Sequence, residues 1–156
     1  LNFQALTRIG EIIDDVLQIT QPEISSRKIQ IEKSIDPNLI VQTNRSEIQQ
    51  VILNLINNAI QALSSQDIQE KIITISGRYI QEGVEISVID NGPGLSKAAQ
   101  SDLFELLSTE RHKGMGLGLW LCKHIVMRHG GKIFYQARLE GGAQFTLVLP
   151  FRNEID

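Results

Sequence analysis

The sequence contains 156 residues, of which 42% are hydrophobic and 21% are charged, with a formal net charge of -3. These values are typical of one globular domain with its own core. The slightly acidic balance favours neither nucleic acid nor an acidic surface as a partner, and no apolar run is long enough to span a bilayer, so we predict no direct membrane contact. The single cysteine, Cys122, excludes an internal disulfide and is predicted to be a small buried residue in a reducing cytosol.

Helical spacing of apolar residues predicts helices, and alternation of apolar with polar residues predicts strands. The predicted helices cover residues 1–21, 44–63, 101–107 and 117–129. The predicted strands cover residues 29–35, 39–42, 72–75, 84–89, 132–138 and 143–149. Pro22 is expected to interrupt the first helix before one further turn, and Asn44 to cap the second helix. Helices that alternate with mostly hairpin-connected strands predict an α/β sandwich, in which one face of a mixed sheet lies under helices.

The stretch from residue 49 to residue 63 combines an apolar helical face with amides that interrupt it. Asn54 and Asn58 are four residues apart, so their side chains project from the same side of the helix. Asn is a poor residue for a helix interior, and its amide oxygen is a hard ligand of the kind that Mg2+ prefers. Asn57 and Gln61 interrupt the apolar pattern as well. This helix alone leaves two interpretations open: a metal-binding face, or a solvated face of mutually hydrogen-bonded amides.

A glycine-containing turn follows the strand that ends at Asp90. Gly92 and Gly94 allow the backbone to turn sharply and to approach a ligand closely. A carboxylate fixed at a strand end can accept a hydrogen bond from an exocyclic amine. A DxGxG pattern also occurs in ordinary turns, so alone it is only a hypothesis of a site.

A second glycine-rich stretch, GMGLGL, covers residues 114–119 and opens a helix. Its backbone N–H groups can face an anion at the helix N-terminus, which predicts a phosphate-binding site. It is neither a Walker loop, since no GK[ST] follows, nor a dinucleotide-binding fingerprint, since it follows a polar loop. The basic residues 111–113 precede it, within a segment, 108–116, that is predicted to be a mobile loop. The alternative is a flexible hinge after a solvated loop.

In this order, the Asn-bearing helix, DxGxG and GxGLGL resemble the N, G1 and G2 boxes of the GHKL ATP-binding superfamily. More closely, the chain looks like the catalytic ATP-binding domain of a bacterial two-component sensor histidine kinase, from about residue 6 to residue 150. NAIQAL, IVMRHGGKI and GGAQFTLVLP are similar to the nitrogen-regulation and oxygen-sensing kinases. The resemblance implies the Bergerat fold, an α+β sandwich whose mixed, mostly antiparallel sheet is covered on one face by about three helices.

The resemblance implies ATP and Mg2+ as cofactors and a role for each matching residue. Asn58 would coordinate Mg2+, with Asn54 assisting at the metal and phosphates as a second candidate ligand. Asp90 would accept a hydrogen bond from the adenine amino group, with Gly92 and Gly94 shaping that pocket. The remaining implied ATP-binding residues are Gln61 (where many relatives have Lys), Leu95, Phe104 (the first aromatic residue of the F box), Arg111, Lys113, Gly114, Met115, Gly116, Leu117, Gly118 and Leu119.

The chain departs from the family pattern in two places, which leave lid closure and turnover open. Leu107 replaces the usual second Phe of the F box. In the lid, Thr109-Glu110-Arg111 replaces Thr-Thr-Lys, so Arg111 keeps the charge of the Lys with a different geometry. Lys113 and Met115 replace small residues there.

Two other functions are weighed against the kinase. A hydrolytic GHKL ATPase or an anti-sigma serine kinase generally carries Glu where this chain has Asn54, and an amide cannot serve as a general base. A nucleotide-binding module that acts only through protein contacts fits the altered lid but not the intact Asn58, Asp90 and glycines.

None of the three histidines, His112, His124 and His129, lies in surroundings that resemble a phospho-acceptor box. We therefore expect the dimerisation and acceptor domain to lie upstream in the same protein, with residues 1–7 as a linker remnant and residues 8–156 as the ATP-binding domain. A chain that begins at Leu1 rather than Met agrees with a fragment. A response regulator is the implied further partner. The domain is predicted to be cytoplasmic, and membrane anchoring of the parent protein is left open.

Overall fold

The computed structural model describes residues 4–65, 67–105 and 115–151, and only the backbone of residues 115–117. Within these ranges the helices are α1 (Ile9–Ser26), α2 (Arg45–Ala62), α3 (Lys97–Ser101) and α4 (Met115–Arg128). The strands are β1 (Ala5–Arg8), β2 (Ile29–Ile35), β3 (Ile40–Thr43), β4 (Lys71–Tyr79), β5 (Gly83–Asp90), β6 (Lys132–Ala137) and β7 (Ala143–Pro150). None of the helices in these ranges is both long and apolar enough to cross a membrane.

A five-stranded mixed sheet in the order β2-β4-β5-β7-β6 forms the centre of the domain. β2 runs parallel to β4, and the other neighbouring pairs are antiparallel. The helices α1, α2 and α4 pack against this sheet and enclose the aliphatic core. Along β4, Ile73 and Ile75 are buried while Thr74 and Ser76 are partly exposed, so the other face is more open. The predicted α+β sandwich is confirmed.

Two predictions for the N-terminal region are wrong. Residues 5–8 form β1 and not the start of a helix, because they pair antiparallel with β3 in a separate two-stranded sheet. Pro22 does not interrupt α1, which continues through it to Ser26. A proline removes the hydrogen bond to the carbonyl four residues earlier. Here Gln18 and Pro22 are both exposed, so water can solvate that carbonyl.

Two further helix boundaries differ from those predicted. The short helix α3 covers Lys97–Ser101, so the predicted helix over 101–107 is wrong at residues 102–105, which form turns, while 106 and 107 lie outside the described residues. The helix starts at Lys97 because the Ser96 hydroxyl accepts a hydrogen bond from the Ala99 N–H at 3.1 Å. Helix α4 begins at Met115, two residues before the predicted start, so the predicted loop over 108–116 is wrong at its last two residues. The rest of that loop lies outside the described residues.

Lys28, two residues beyond the end of α1, has a left-handed conformation, with a φ of 57°. A side chain in this region is strained, and glycine is the residue that usually occupies it after a helix. We expect Lys28→Gly to raise the free energy of unfolding by about 1 kcal/mol, measured by urea denaturation. Lys28→Ala, which keeps a Cβ, is the control and should bring no such gain. An equal gain in both variants would assign the effect to loss of the lysine side chain instead.

Candidate functional site

A cavity of about 320 Å3 lies where α2 passes between α1 and α4. Four amide side chains of α2 line it, together with the backbone of the first turn of α4 and two charged residues near the end of α1. These lining residues are Asn54, Asn57, Asn58, Ile60, Gln61, Gly118, Glu23 and Arg27. The amides reach one cavity because α2 starts at a fixed residue: the Asn44 side chain caps it by accepting the Glu47 N–H at 3.0 Å.

Asn54 and Asn58 occupy successive turns of α2 but differ in their hydrogen bonds. The amide of Asn54 is engaged on both sides: its oxygen accepts a hydrogen bond from Gln50 at 3.1 Å, and its nitrogen donates to the Gly118 carbonyl at 3.4 Å. Asn58 makes no hydrogen bond to the described part of the chain, and its Nδ2 is buried without a partner there. An unpartnered buried donor is costly, so such groups are rare in folded proteins. Asn58 therefore has the oxygen that is available to a ligand.

Cys122 supports the position of Asn54. Its Sγ lies 3.6 Å from the Asn54 Nδ2, close enough to accept a weak hydrogen bond, and it donates to the Val51 carbonyl at 3.8 Å. Burial raises the pKa of the Cys122 thiol to about 11, so it stays protonated at neutral pH. Its predicted burial is confirmed, and its contact with a site residue was not foreseen.

The lining of the cavity fits Mg2+ only together with a phosphate-bearing ligand. Among the described residues, no group of three or more His, Cys, Asp or Glu side chains could hold a metal ion. Mg2+ commonly takes one or two protein oxygens and completes its octahedron with water and substrate phosphates. The free oxygen of Asn58 in a cavity of this size can supply such a protein ligand.

Asp90, at the end of β5, lies near the C-terminal end of the same helix α2. Val84, Ile86 and Val88 point into the core, and strand periodicity puts Asp90 on that same face, where it is 4% exposed. Its Oδ1 accepts the Gly92 N–H at 2.9 Å. Burial raises the pKa of Asp90 to about 6, and the N–H groups of Gly92 and Ala143 oppose this shift. The N–H groups of Gly92 and Ala143 thus hold a buried carboxylate at the end of β5, and its oxygens have further lone pairs that can accept a donor from a ligand.

The two glycines of this turn are required for different reasons. A Cβ on Gly92 would lie 2.9 Å from the carbonyl oxygen of Ala62 and 3.0 Å from Asp90 Oδ1, so only glycine lets the turn approach the end of α2 this closely. Gly94 has a φ of +76°, which favours glycine. The hydroxyl of Tyr135 then accepts the N–H of Leu95 at 3.2 Å and fixes the chain beyond the turn.

The other predicted site residues lie in different surroundings. Phe104 packs edge-on against Phe145 of the sheet, with ring centroids 6.2 Å apart. Leu119 is fully buried in the core and does not line the cavity. The backbone of residues 115–117 forms the first turn of α4. Arg111, Lys113 and Gly114 lie outside the described residues.

The two described histidines lie away from the cavity. His124 stacks on Trp120, with ring centroids 5.3 Å apart. His129 is 6% exposed, and its Nδ1 bonds the carbonyl of Ile125 at 2.8 Å. Neither histidine lines the cavity beside Asn58.

A sequence profile described as "Histidine kinase-, DNA gyrase B-, and HSP90-like ATPase" matches residues 43–153, which include Asn58 and Asp90. The chain belongs to this ATPase family. The cavity beside Asn58 and the buried carboxylate of Asp90 therefore belong to an ATP-binding domain, with about one helical turn of α2 between Asn58 and the Gly92 contact at Ala62.

Among characterised relatives of this domain are bacterial sensor kinases. The chain is 32% identical to the C4-dicarboxylate transport sensor protein DctS of Rhodobacter capsulatus over 94% of its length. It is 34% identical to the sensor histidine kinase ZraS of Escherichia coli (strain K12) and 32% identical to the sensory histidine kinase/phosphatase NtrB of Vibrio alginolyticus, over 91% of its length in each case. It spans only 22%, 30% and 43% of these three relatives.

Solved structures resemble the whole domain. The nucleotide-free catalytic domain of histidine kinase ThkA has a TM-score of 0.86 and 28% sequence identity, with 97% of this chain and 98% of that one covered. A complex of ThkA with the response regulator protein TrrA has a TM-score of 0.83 and 27% identity, with 99% of this chain and 44% of that one covered.

The structure adds residues to the candidate site that sequence reasoning missed. Glu23 and Arg27 line the cavity from α1, and Tyr135 holds the turn after Asp90. Tyr135 carries no local signal, because its contact with Leu95 depends on the pairing of distant strands. The only sequence signal for Glu23 and Arg27 is their spacing of four, which predicts a helical ion pair and no ligand.

Proposed function

We propose that this domain is the catalytic part of a sensor histidine kinase. It binds ATP and transfers the γ-phosphoryl group to a histidine of a separate dimerisation domain. The observation that carries the proposal is the cavity lined by α2, with the free amide of Asn58 at its wall and the buried carboxylate of Asp90 about one helical turn further, beyond the C-terminal end of the same helix. These two groups suit the metal-bound phosphates and the adenine amino group of one nucleotide.

The chain's own residues act by positioning. Asp90 orients the base, Asn58 offers an oxygen to Mg2+, and Asn54 stays tied to the Gly118 carbonyl at the start of α4. Bound Mg2+ would neutralise charge on the phosphoryl oxygens. In phosphoryl transfer most of the catalytic effect comes from such positioning and charge neutralisation, so no nucleophilic side chain is required in this domain.

Hydrolysis of ATP is the second function that this ATPase family suggests. It needs a group that takes a proton from water, and Asn54 is an amide whose oxygen accepts a hydrogen bond from Gln50. The one carboxylate that lines the cavity among the described residues is Glu23, and Arg27 holds it in an ion pair at 3.1 Å. These contacts favour transfer to an external acceptor.

The partners follow from the same proposal. A phospho-acceptor domain of the same protein would present the histidine, and a response regulator would receive the phosphoryl group, as the complex of ThkA with TrrA suggests. We place the domain in the cytoplasm, where ATP and response regulators are present.

The domain alone is expected to bind ATP without phosphorylating itself. His124 and His129 are held away from the cavity. His112 belongs to the segment that the sequence predicts to be a mobile loop, and phosphoryl transfer needs a fixed in-line geometry. Incubation with γ-labelled ATP and Mg2+ should leave the domain unlabelled. Addition of the dimerisation domain of the parent protein, or of a relative such as NtrB, should give acid-labile label on that domain.

The other results have distinct meanings. Rapid release of labelled phosphate without acceptor would indicate a hydrolytic ATPase. Acid-labile label on the domain alone that disappears in His112→Ala would mean that the acceptor lies within this chain. Absence of ATP binding by calorimetry would overturn the proposed function itself.

A further inference from the structure

We propose that Arg27 is a phosphate-binding residue of the nucleotide site. In the nucleotide-free domain its guanidinium is held by Glu23, and we infer that it exchanges this partner for the phosphate oxygens of bound ATP. The inference rests on the proposed function, because it assigns a further residue to the same nucleotide.

The position of Arg27 is the first observation. It lines the same cavity as Asn58 and Gln61, although it belongs to α1. Its backbone caps the end of α1 through the bond from its N–H to the Glu23 carbonyl at 3.1 Å. The left-handed turn at Lys28 then leads the chain away into β2. Arg27 is therefore anchored at a helix end from which its long side chain reaches the cavity.

The free hydrogen-bonding capacity of Arg27 is the second observation. Its bond to Glu23 uses Nε alone, at 3.1 Å. Neither terminal nitrogen makes a hydrogen bond to the described residues. These two nitrogens form the planar fork that binds phosphate or carboxylate oxygens in a bidentate manner. The cavity therefore contains an arginine whose strongest binding edge is available.

The ion pair with Glu23 is easy to exchange. Its side chains are 37% and 58% exposed, and exposed pairs of this kind contribute little to stability. ATP brings several phosphate charges into the cavity, so the nucleotide is the stronger competitor for one guanidinium. Glu23 is then the competing anion that the nucleotide displaces from Arg27.

The charges along the cavity wall support the same assignment. Among the described residues that line it, Glu23 and Arg27 are the only charged ones, and the others are amides, Ile60 and Gly118. Amides can orient a phosphate but cannot neutralise it. Arg27 is therefore the described cation that can offset the charge of the nucleotide on this side of α2.

The test measures binding of ATP and of adenosine to four variants of the chain, in the presence of Mg2+. Arg27→Ala should weaken ATP binding about tenfold and leave adenosine binding unchanged, because adenosine has no phosphates. Arg27→Lys should recover part of the loss. Glu23→Gln should tighten ATP binding about twofold to fivefold, because it removes the competing carboxylate.

The control is Arg45→Ala. Arg45 also forms ion pairs with α1, through Glu11 and Asp15, but it does not line the cavity.

Each outcome bears on the proposal. Wild-type ATP affinity in a folded Arg27→Ala variant would overturn it, as would an equal loss in Arg45→Ala, which would show a general charge effect. An equal loss of adenosine binding would make Arg27 a structural residue. If the unmodified chain failed to bind ATP, the proposed function would fail before the role of Arg27 was reached.

Discussion

Asp90→Asn is expected to weaken ATP binding by about 10- to 100-fold, the cost of losing a charge-assisted hydrogen bond. The turn N–H of Gly92 is bonded to Oδ1 of Asp90, and the carboxylate keeps acceptor capacity for the adenine amino group. Asparagine keeps an oxygen for the turn but places an NH2 group toward the adenine amine, where two donors meet. Calorimetric titration with ATP at pH 7.5 measures the loss.

The same substitution is expected to stabilise the nucleotide-free domain. Burial raises the pKa of Asp90 from 3.8 to about 6. The folded state therefore binds more protons than the unfolded state between these values, and the contribution of Asp90 to stability falls as the pH rises from about 4 to about 6. The full shift corresponds to roughly 3 kcal/mol of unfavourable free energy above pH 6. Asn cannot ionise, so the stability gain of Asp90→Asn should grow across this window and then level off.

Asp36→Asn is the matched control. The Oδ1 of Asp36 accepts the N–H of Asn38 at 2.9 Å, the same two-residue turn as at Asp90, but this bond is exposed and lies at another turn. Neither ATP affinity nor stability at neutral pH should change appreciably. Unchanged ATP affinity in folded Asp90→Asn would remove Asp90 from the base pocket. A loss of stability at neutral pH would show that the carboxylate is needed for the fold itself.

The parts of the candidate site that the sequence could predict are those decided by residue spacing within a single helix, strand or turn. Asn54 and Asn58 share a helix face because of their spacing alone, and Asp90 points inward because it continues the alternation of β5. The glycines after Asp90 could also be predicted from the local sequence, because a close turn requires glycine.

The missed parts depend on contacts between distant segments. Arg27 joins the cavity only because α1 packs beside α2, and its spacing from Glu23 is equally typical of a solvent-exposed ion pair. Residues 5–8 have no strand signal strong enough to outweigh the helix that follows, and their pairing with β3 decides their structure. Helix α1 continues through Pro22 because the free-energy cost of the one lost backbone hydrogen bond is small where water can solvate the carbonyl.

Asn58→Ala is expected to reduce Mg2+-dependent phosphotransfer to an added acceptor domain by at least about 100-fold, because it removes the protein oxygen proposed to hold the metal. The fold should persist. Ala is a better helix former than Asn, and the substitution also removes a buried Nδ2 that has no partner among the described residues. The free energy of unfolding should therefore stay equal or rise by up to about 1 kcal/mol.

Two variants distinguish the loss of a metal ligand from a change in helix α2. Asn58→Asp restores an oxygen ligand and should regain much of the Mg2+-dependent ATP binding that Asn58→Ala loses, whereas binding measured with EDTA should differ little between the two. Gln49→Ala makes the same amide-to-methyl change on α2 outside the cavity lining, and it should transfer phosphate like the unmodified domain. Phosphotransfer at the normal rate by Asn58→Ala would show that Asn58 is not the metal ligand. Loss of binding with and without Mg2+ would make Asn58 a residue that shapes the cavity, because only a metal ligand makes the defect depend on the ion.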